Sequence, residues 1–249
     1  MLRYLENSFI FPGVPSDIPS YALYKPHEIW LQSDGAKLQG WKYDVAEPSG
    51  DRILLYFGGN AEDVTQMFSS AGLWGVQTVF TFNYRGYGNS TGSPSQDALY
   101  ADALKIFDDL VSDYGVDGRN LVVLGRSLGS AVAIYLASQR SLERLVLVTP
   151  FDNLISVGKR HFPFLPVQSL LSQTFPSSKY ADEIDVPVLM LIAGQDEIIP
   201  MDSSMALYNL WKGRKEVSLI ERAGHNDLQL YETFDQEISR FLSGSIQTP

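Results

Sequence analysis

The sequence predicts an α/β fold, a doubly wound and mostly parallel sheet within a single domain over residues 1–249. Three observations carry that expectation. From the third strand-like segment onward the extended segments are continuous apolar runs, as parallel strands buried on both faces require. Segments of helical periodicity lie between them, and that alternation builds right-handed βαβ units. With 45% hydrophobic and 19% charged residues, a chain of 249 residues can fill a sizeable core.

Strands are expected at 28–33 (EIWLQS), 38–44 (LQGWKYD), 52–57 (RILLYF), 77–82 (QTVFTF), 121–125 (LVVLG), 144–149 (RLVLVT), 187–193 (PVLMLIA) and 216–220 (EVSLI). Helices are expected at 61–73, 94–114, 128–139, 203–212 and 227–242. The segment 94–114 carries one apolar stripe, Leu99, Ala103, Ile106, Phe107, Leu110, Val111 and Tyr114. Its start reads as Ser93 at the N-cap, Pro94 at the first helical position and Gln96 completing a capping box. The interval 150–186, with its HFPFLPVQSLLSQTFP stretch, breaks the rhythm. It reads either as a packed crossover or as a small cap over a pocket.

A net charge of −10 with no basic cluster argues against nucleic acid or an anionic membrane surface as partner. The absence of cysteine removes disulfides, thiolate chemistry and cysteine-held metals, and the three scattered histidines form no metal constellation. The first residues, MLRYLENSFIFPGVP, hold no apolar stretch of signal-peptide length, and later apolar runs are strand-sized. The expectation is a soluble cytoplasmic protein without a membrane span, metal or cofactor.

The motif that carries chemistry is GRSLG, residues 125–129. At ordinary usage of about 7% for Gly and Ser, G-x-S-x-G arises by chance in roughly one chain in ten of this length. Its place is what makes it informative: it ends a buried strand and opens a helix. A serine on such a turn is held in a strained conformation, and side chains two residues either side would collide, hence Gly125 and Gly129. The following helix aims free N–H groups at the same point.

A serine nucleophile needs a base. Of the three histidines, His27 reads as an edge residue, and His161 lies in the odd interval. His225, in ERAGHNDL after the last strand, can reach over the sheet edge and is the expected base, with Ser127 as nucleophile. Asp196, in LIAGQDEIIP, is the expected acid that orients it, with Asp152 as the rival. Asp227 reads as the start of the last helix. Donors for an oxyanion are expected at the backbone N–H of Leu128 and at that of Asn60 in YFGGNAED, with Gly59 the alternative. NYRGYGNSTG, residues 83–92, lacks the Lys-Ser/Thr ending of a phosphate loop and reads as a buttress, with Arg85 as an ion-pair partner.

GRSLGS, NYRGYG, AGQDEIIP and AGH, in that order, give the chain a resemblance to the α/β-hydrolase superfamily over nearly its whole length. FGGNAED is similar to the HGN-type loop of single-domain serine hydrolases that include the ABHD-group acyl-protein thioesterases and bacterial esterases. The resemblance implies an α/β-hydrolase fold, an eight-stranded mostly parallel sheet with helices on both faces. Its second strand would run antiparallel, and a short cap would follow the sixth strand, at about 150–186. The chain departs from the pattern in carrying Gly58 where the loop usually has histidine, and in lacking a cysteine cluster for lipidation.

The activity expected is cofactor-independent hydrolysis of a small-molecule carboxylic ester, or a thioester, of short to medium acyl chain. Phe162, Phe164 and Leu165, with Leu170 and Leu171, would form the apolar acyl pocket. The alternatives are an aminopeptidase or amidase anchored by Asp182, Glu183 and Asp185, and a ligand-binding protein that keeps the fold without the chemistry.

Overall fold

The computed structural model describes residues 2–244, and eight strands hydrogen-bond into one sheet. They are β1 (Glu28–Ser33), β2 (Ala36–Asp44), β3 (Arg52–Phe57), β4 (Val76–Phe82), β5 (Leu121–Arg126), β6 (Arg144–Val148), β7 (Val188–Ala193) and β8 (Lys215–Ile220). Their order across the sheet is β1-β2-β4-β3-β5-β6-β7-β8. β2 runs antiparallel to both β1 and β4, and every other pairing is parallel. This is the α/β-hydrolase fold expected from the motifs.

Ten α-helices are described: α1 (Leu2–Ile10), α2 (Pro19–Leu23), α3 (Phe68–Ala71), α4 (Gln96–Tyr114), α5 (Leu128–Gln139), α6 (Leu154–His161), α7 (Val167–Leu170), α8 (Ser177–Ala181), α9 (Met201–Leu210) and α10 (Glu232–Ser243). Successive strand residues go to opposite faces. Leu55, Phe57, Leu145 and Leu147 pack under α4, α5 and α9. Leu54, Tyr56, Val146 and Val148 pack under α3 and α10. Both faces are covered, which is why the central strands read as unbroken apolar runs. α5 lies at the centre of the first face, and its small residues Gly129, Ala131 and Ala133 let it sit close on β3 and β5.

Three local expectations are corrected. α4 begins later than Ser93 and Pro94 suggest: Ser95 is the N-cap, its side chain accepting from the Ala98 amide at 3.2 Å. Gln96 serves no capping box. It ties to the cap instead, its amide donating to Gln173 Oε1 and its own Oε1 accepting from the Phe175 amide, both at 2.6 Å. At the far end Val111 and Tyr114 are exposed, so the buried stripe stops at Leu110. The helix expected over 61–73 is broken into a 3₁₀ turn (Val64–Met67), α3 and a second 3₁₀ turn (Gly72–Trp74). The Asp63 side chain accepts from both the amide and the hydroxyl of Thr65, which favours the tighter turn.

Between β6 and β7 the chain forms α6, α7 and α8. α8 packs on α5 and α9, while α6 and α7 with the residues after them form the cap at the carboxyl edge of the sheet. α1, which the sequence pattern did not reveal, lies against it. The buried Glu6 carboxylate accepts from the amide and hydroxyl of Ser172 and from the Gln173 amide. No described helix is long and apolar enough to cross a membrane.

Candidate active site

Ser127 sits between β5 and α5 with φ 49° and ψ −115°, a left-handed conformation that a side chain adopts only under constraint. The constraint is packing. A Cβ on Gly125 would lie 2.3 Å from the Gly129 carbonyl oxygen, and one on Gly129 would lie 2.0 Å from the Phe57 carbonyl oxygen. Only glycine at both positions lets strand, turn and helix close around the serine. The turn is fixed further by the Ser127 amide donating to Val148 O at 2.9 Å and by Ser130 donating to Ser127 O.

Two other strand ends converge on this serine. After β7, Asp196 Oδ1 accepts from the amides of Ile198 and Ile199 at 2.8 and 2.7 Å, which holds its second oxygen toward the histidine. His225, in the loop after β8, places Nδ1 2.8 Å from Asp196 Oδ2 and Nε2 3.0 Å from Ser127 Oγ. A carboxylate only accepts, so Nδ1 carries the proton and Nε2 of the neutral ring faces the hydroxyl as acceptor. Both side chains are withdrawn from solvent, Asp196 at 2% and His225 at 8% exposure. Charge on them is therefore weakly screened.

The rivals lie elsewhere. Asp152 accepts from Ser156, Ser203 and Asn153 and is a structural node. His161 lines the cavity, but its Nε2 donates to the Ile198 carbonyl at 2.8 Å. His27 packs against Tyr43 and Tyr24 in a 3₁₀ turn before β1. Asp227 does not cap the last helix; its carboxylate accepts from the Gly224 amide at 2.7 Å and braces the histidine loop. Arg85 is the expected ion-pair partner, forked onto Asp102 through two 2.7 Å bonds.

The loop after β3 runs directly beside the serine, a Cβ on Gly59 falling 3.8 Å from Ser127 Cβ. Gly59 is corrected as a donor: its amide is committed to Glu62 Oε2 at 2.7 Å. The Asn60 amide meets no acceptor among the described residues, and the Leu128 amide opens α5, where no intrahelical acceptor exists. Gly58, where the family pattern has histidine, has no room for a side chain, since a Cβ would lie 2.7 Å from Val64 Cγ1. Two tyrosines hold the loop instead, Tyr84 donating to Gly58 O and Tyr87 to Asn60 O, each at 2.8 Å.

Sequence reasoning missed what lies behind this loop. Glu62 accepts from Tyr56 Oη and from Arg126 Nη1, the latter at 3.0 Å, while Arg126 Nη2 donates to His225 O at 2.9 Å. Burial opposes charge on Arg126, but Glu62, together with Tyr56 and Asp196, more than offsets it and the guanidinium is held charged. Burial, reinforced by Glu62, raises the Tyr56 phenol well above its usual range, so it remains a donor. The available signal was an arginine inside GRSLG and a glutamate inside FGGNAED, opposite charges in two site loops.

The serine and histidine open into a cavity of about 820 Å³. Its walls are apolar, from Leu154, Val157, Phe162, Leu165, Leu170 and Leu171 of the cap, Ile198 and Ile199, and Phe9, Ile10 and Pro12 at the end of α1. Phe164 is corrected: it is 98% exposed, in the turn between α6 and α7, and does not line the cavity that Phe162 and Leu165 line. Asp182, Glu183 and Asp185 do not line the cavity either.

The family models agree with this fold. The α/β-hydrolase fold model matches residues 57–173, and the acetyl xylan esterase model matches residues 171–244. An uncharacterised protein of Mycobacterium tuberculosis is 36% identical over 84% of this chain and 76% of its own length. Alpha/beta hydrolase domain-containing protein 17C of Xenopus laevis is 30% identical over 86% of this chain and 68% of its own length. Among solved structures, the Pyrococcus furiosus esterase Pf2001 superposes with a TM-score of 0.74 at 20% identity, covering 93% of this chain and 95% of that one. The chain belongs to the α/β-hydrolase superfamily.

Proposed function

We propose that the protein is a serine esterase acting on carboxylic esters, or thioesters, of short to medium acyl chain. The observation that carries this reading is the hydrogen-bonded line from Asp196 through His225 to Ser127, ending at an apolar cavity. Ser127 Oγ attacks the acyl carbonyl while His225 Nε2 takes its proton; Asp196 stabilises the imidazolium formed. The tetrahedral oxyanion is held by the Leu128 and Asn60 amides. His225 then returns the proton to the leaving alcohol or thiol, and the acyl group stays on Ser127. Water repeats the sequence and releases the acid. A cavity of about 820 Å³ with largely apolar walls suits an acyl chain rather than a charged group, and Glu62, the one acidic residue that lines it among the described residues, is already paired. That supports the ester reading over an aminopeptidase, which needs an anionic anchor.

The test is hydrolysis of p-nitrophenyl esters from acetate to laurate by the protein and by Ser127→Ala. Turnover by the former, highest below the longest chains, and none by the latter is expected. Equal turnover by the variant refutes the assignment. Turnover confined to aminoacyl amides would move the protein to the amidase class, and none on any acyl substrate to the ligand-binding class.

A further inference from the structure

Arg126 has no part in the proton transfers proposed above, yet its side chain ties together two of the loops they depend on, the loop after β3 and the histidine loop. It is the last residue of β5, next to Ser127 in the chain. One arm of its fork meets Glu62 in the oxyanion loop and the other meets His225 O, with Asn226 Oδ1 at 3.4 Å. Glu62 in turn pulls on the Gly59 amide, the donor adjacent to Asn60. We propose that Arg126 is a positioning residue that locks the oxyanion loop and the histidine loop to the nucleophile turn through Glu62. The proposal rests on the reading of Ser127 as nucleophile.

Two physical arguments favour this over a merely structural ion pair. The first is mechanical. Gly58 and Gly59 give the loop no side chain to fix its peptide planes, so these are set from outside: by Tyr84 on Gly58 O, by Tyr87 on Asn60 O and by the Glu62 bond to the Gly59 amide, next to the amide of Asn60. Besides that amide, Tyr56 and Arg126 hold the Glu62 carboxylate among the described residues. The second is electrostatic. A carboxylate beside an oxyanion opposes it, and the site is shielded from water, so an unpaired Glu62 would work against the transition state. The guanidinium at 3.0 Å cancels that charge. A buried ion pair is poor evidence for stability by itself. One that ties the loop after β3 and the histidine loop to the nucleophile turn has its value there.

Because the oxyanion exists only in the transition state, losing this brace lowers kcat and leaves KM nearly unchanged. The variants are Arg126→Met, which keeps stem length without charge, Arg126→Lys, Glu62→Gln, and the double variant Arg126→Met/Glu62→Gln. Active sites are counted by fluorophosphonate labelling so that misfolded protein is excluded. Per labelled site, kcat for a p-nitrophenyl ester should fall about 10²-fold in Arg126→Met, the size of a lost oxyanion donor, with KM within about threefold. Arg126→Lys should recover part of the loss, since one ammonium keeps the charge but cannot span both partners. The double variant should lose less than Arg126→Met alone, because the unpaired carboxylate is gone.

An unchanged kcat per labelled site overturns the proposal. So does a raised KM with kcat unchanged, which would make Arg126 a substrate contact, and so do independent, multiplicative losses in the double variant. If the unsubstituted protein neither hydrolyses esters nor labels, the esterase reading fails first and this proposal falls with it.

Discussion

Replacing Gly129 by alanine sets two effects of known size against each other. Alanine is favoured over glycine in a helix interior by about 1 kcal/mol, so propensity alone predicts a stabilised α5. The structure predicts the opposite. The new Cβ would lie 2.0 Å from Phe57 O and 2.6 Å from Gly58 O, both backbone atoms, where ordinary contact begins near 3.4 Å. Relief requires α5 and the loop after β3 to part by more than 1 Å, and overpacking of that kind costs about 1–3 kcal/mol. The displaced carbonyls lead directly into Gly59 and Asn60, so the proposed oxyanion donor at the Asn60 amide moves with them. A misplacement of about 1 Å can cost 10²-fold in rate, and losing a donor outright costs 10²–10³. The variant should therefore melt lower and show kcat reduced about 10²–10³-fold with little change in KM. Thermal melts and ester kinetics, normalised to fluorophosphonate-reactive sites, read both. A variant as active as the parent and more stable would refute the close approach of α5 to the β3 loop.

Asp196→Asn turns an N–H toward His225 Nδ1, forces the proton onto Nε2 and leaves no acceptor for the serine; kcat should fall about 10⁴-fold. A loss below about tenfold would remove Asp196 from the site. Asp102→Ala strands the Arg85 guanidinium, which is only 10% exposed, and should cost roughly 3–5 kcal/mol, on the order of 10 °C in Tm at this chain length. A melt within about 2 °C of the parent would contradict the description of Arg85 as a buried scaffold pair. Burial pushes Tyr21 up to about 12 and raises Tyr56 and Tyr84 well above 10.0. These phenols bind their protons more tightly folded than unfolded. The stability this supplies is complete below about pH 10 and is lost as pH rises toward the folded values. Urea midpoints should thus decline as pH rises from about 10 toward about 12; a flat profile would mean these phenols ionise as freely in the folded protein as in the unfolded one.

The parts of the molecule legible in the sequence are those set by local pattern. Residues 121–129 announce a buried strand, a tight turn and a helix, because apolar runs and glycine spacing are short-range consequences of burial and close approach. Asp196 and His225 follow from their places after strands, without any knowledge of the contact between them. What the sequence hid depends on distant partners. Glu6 meets Ser172 across 166 positions, so nothing near MLRYLENSFIFP shows that α1 walls a cavity. Glu62 and Arg126 stand 64 positions apart, and each alone reads as an ordinary loop charge. Gln96 looked like part of a capping box because local rules cannot register a competing partner in the cap. Phe164 shows the same limit: an apolar residue in an apolar stretch is assigned to a pocket until the backbone direction is known.

The proposed chemistry turns on Ser127 being a nucleophile activated by His225. Treating the protein with a fluorophosphonate and mapping the adduct by peptide mass spectrometry tests this most directly. The adduct should lie on Ser127 and no other serine, and it should fail to form in His225→Ala. Modification at a different residue, or undiminished labelling of Ser127 when the imidazole is gone, would contradict it.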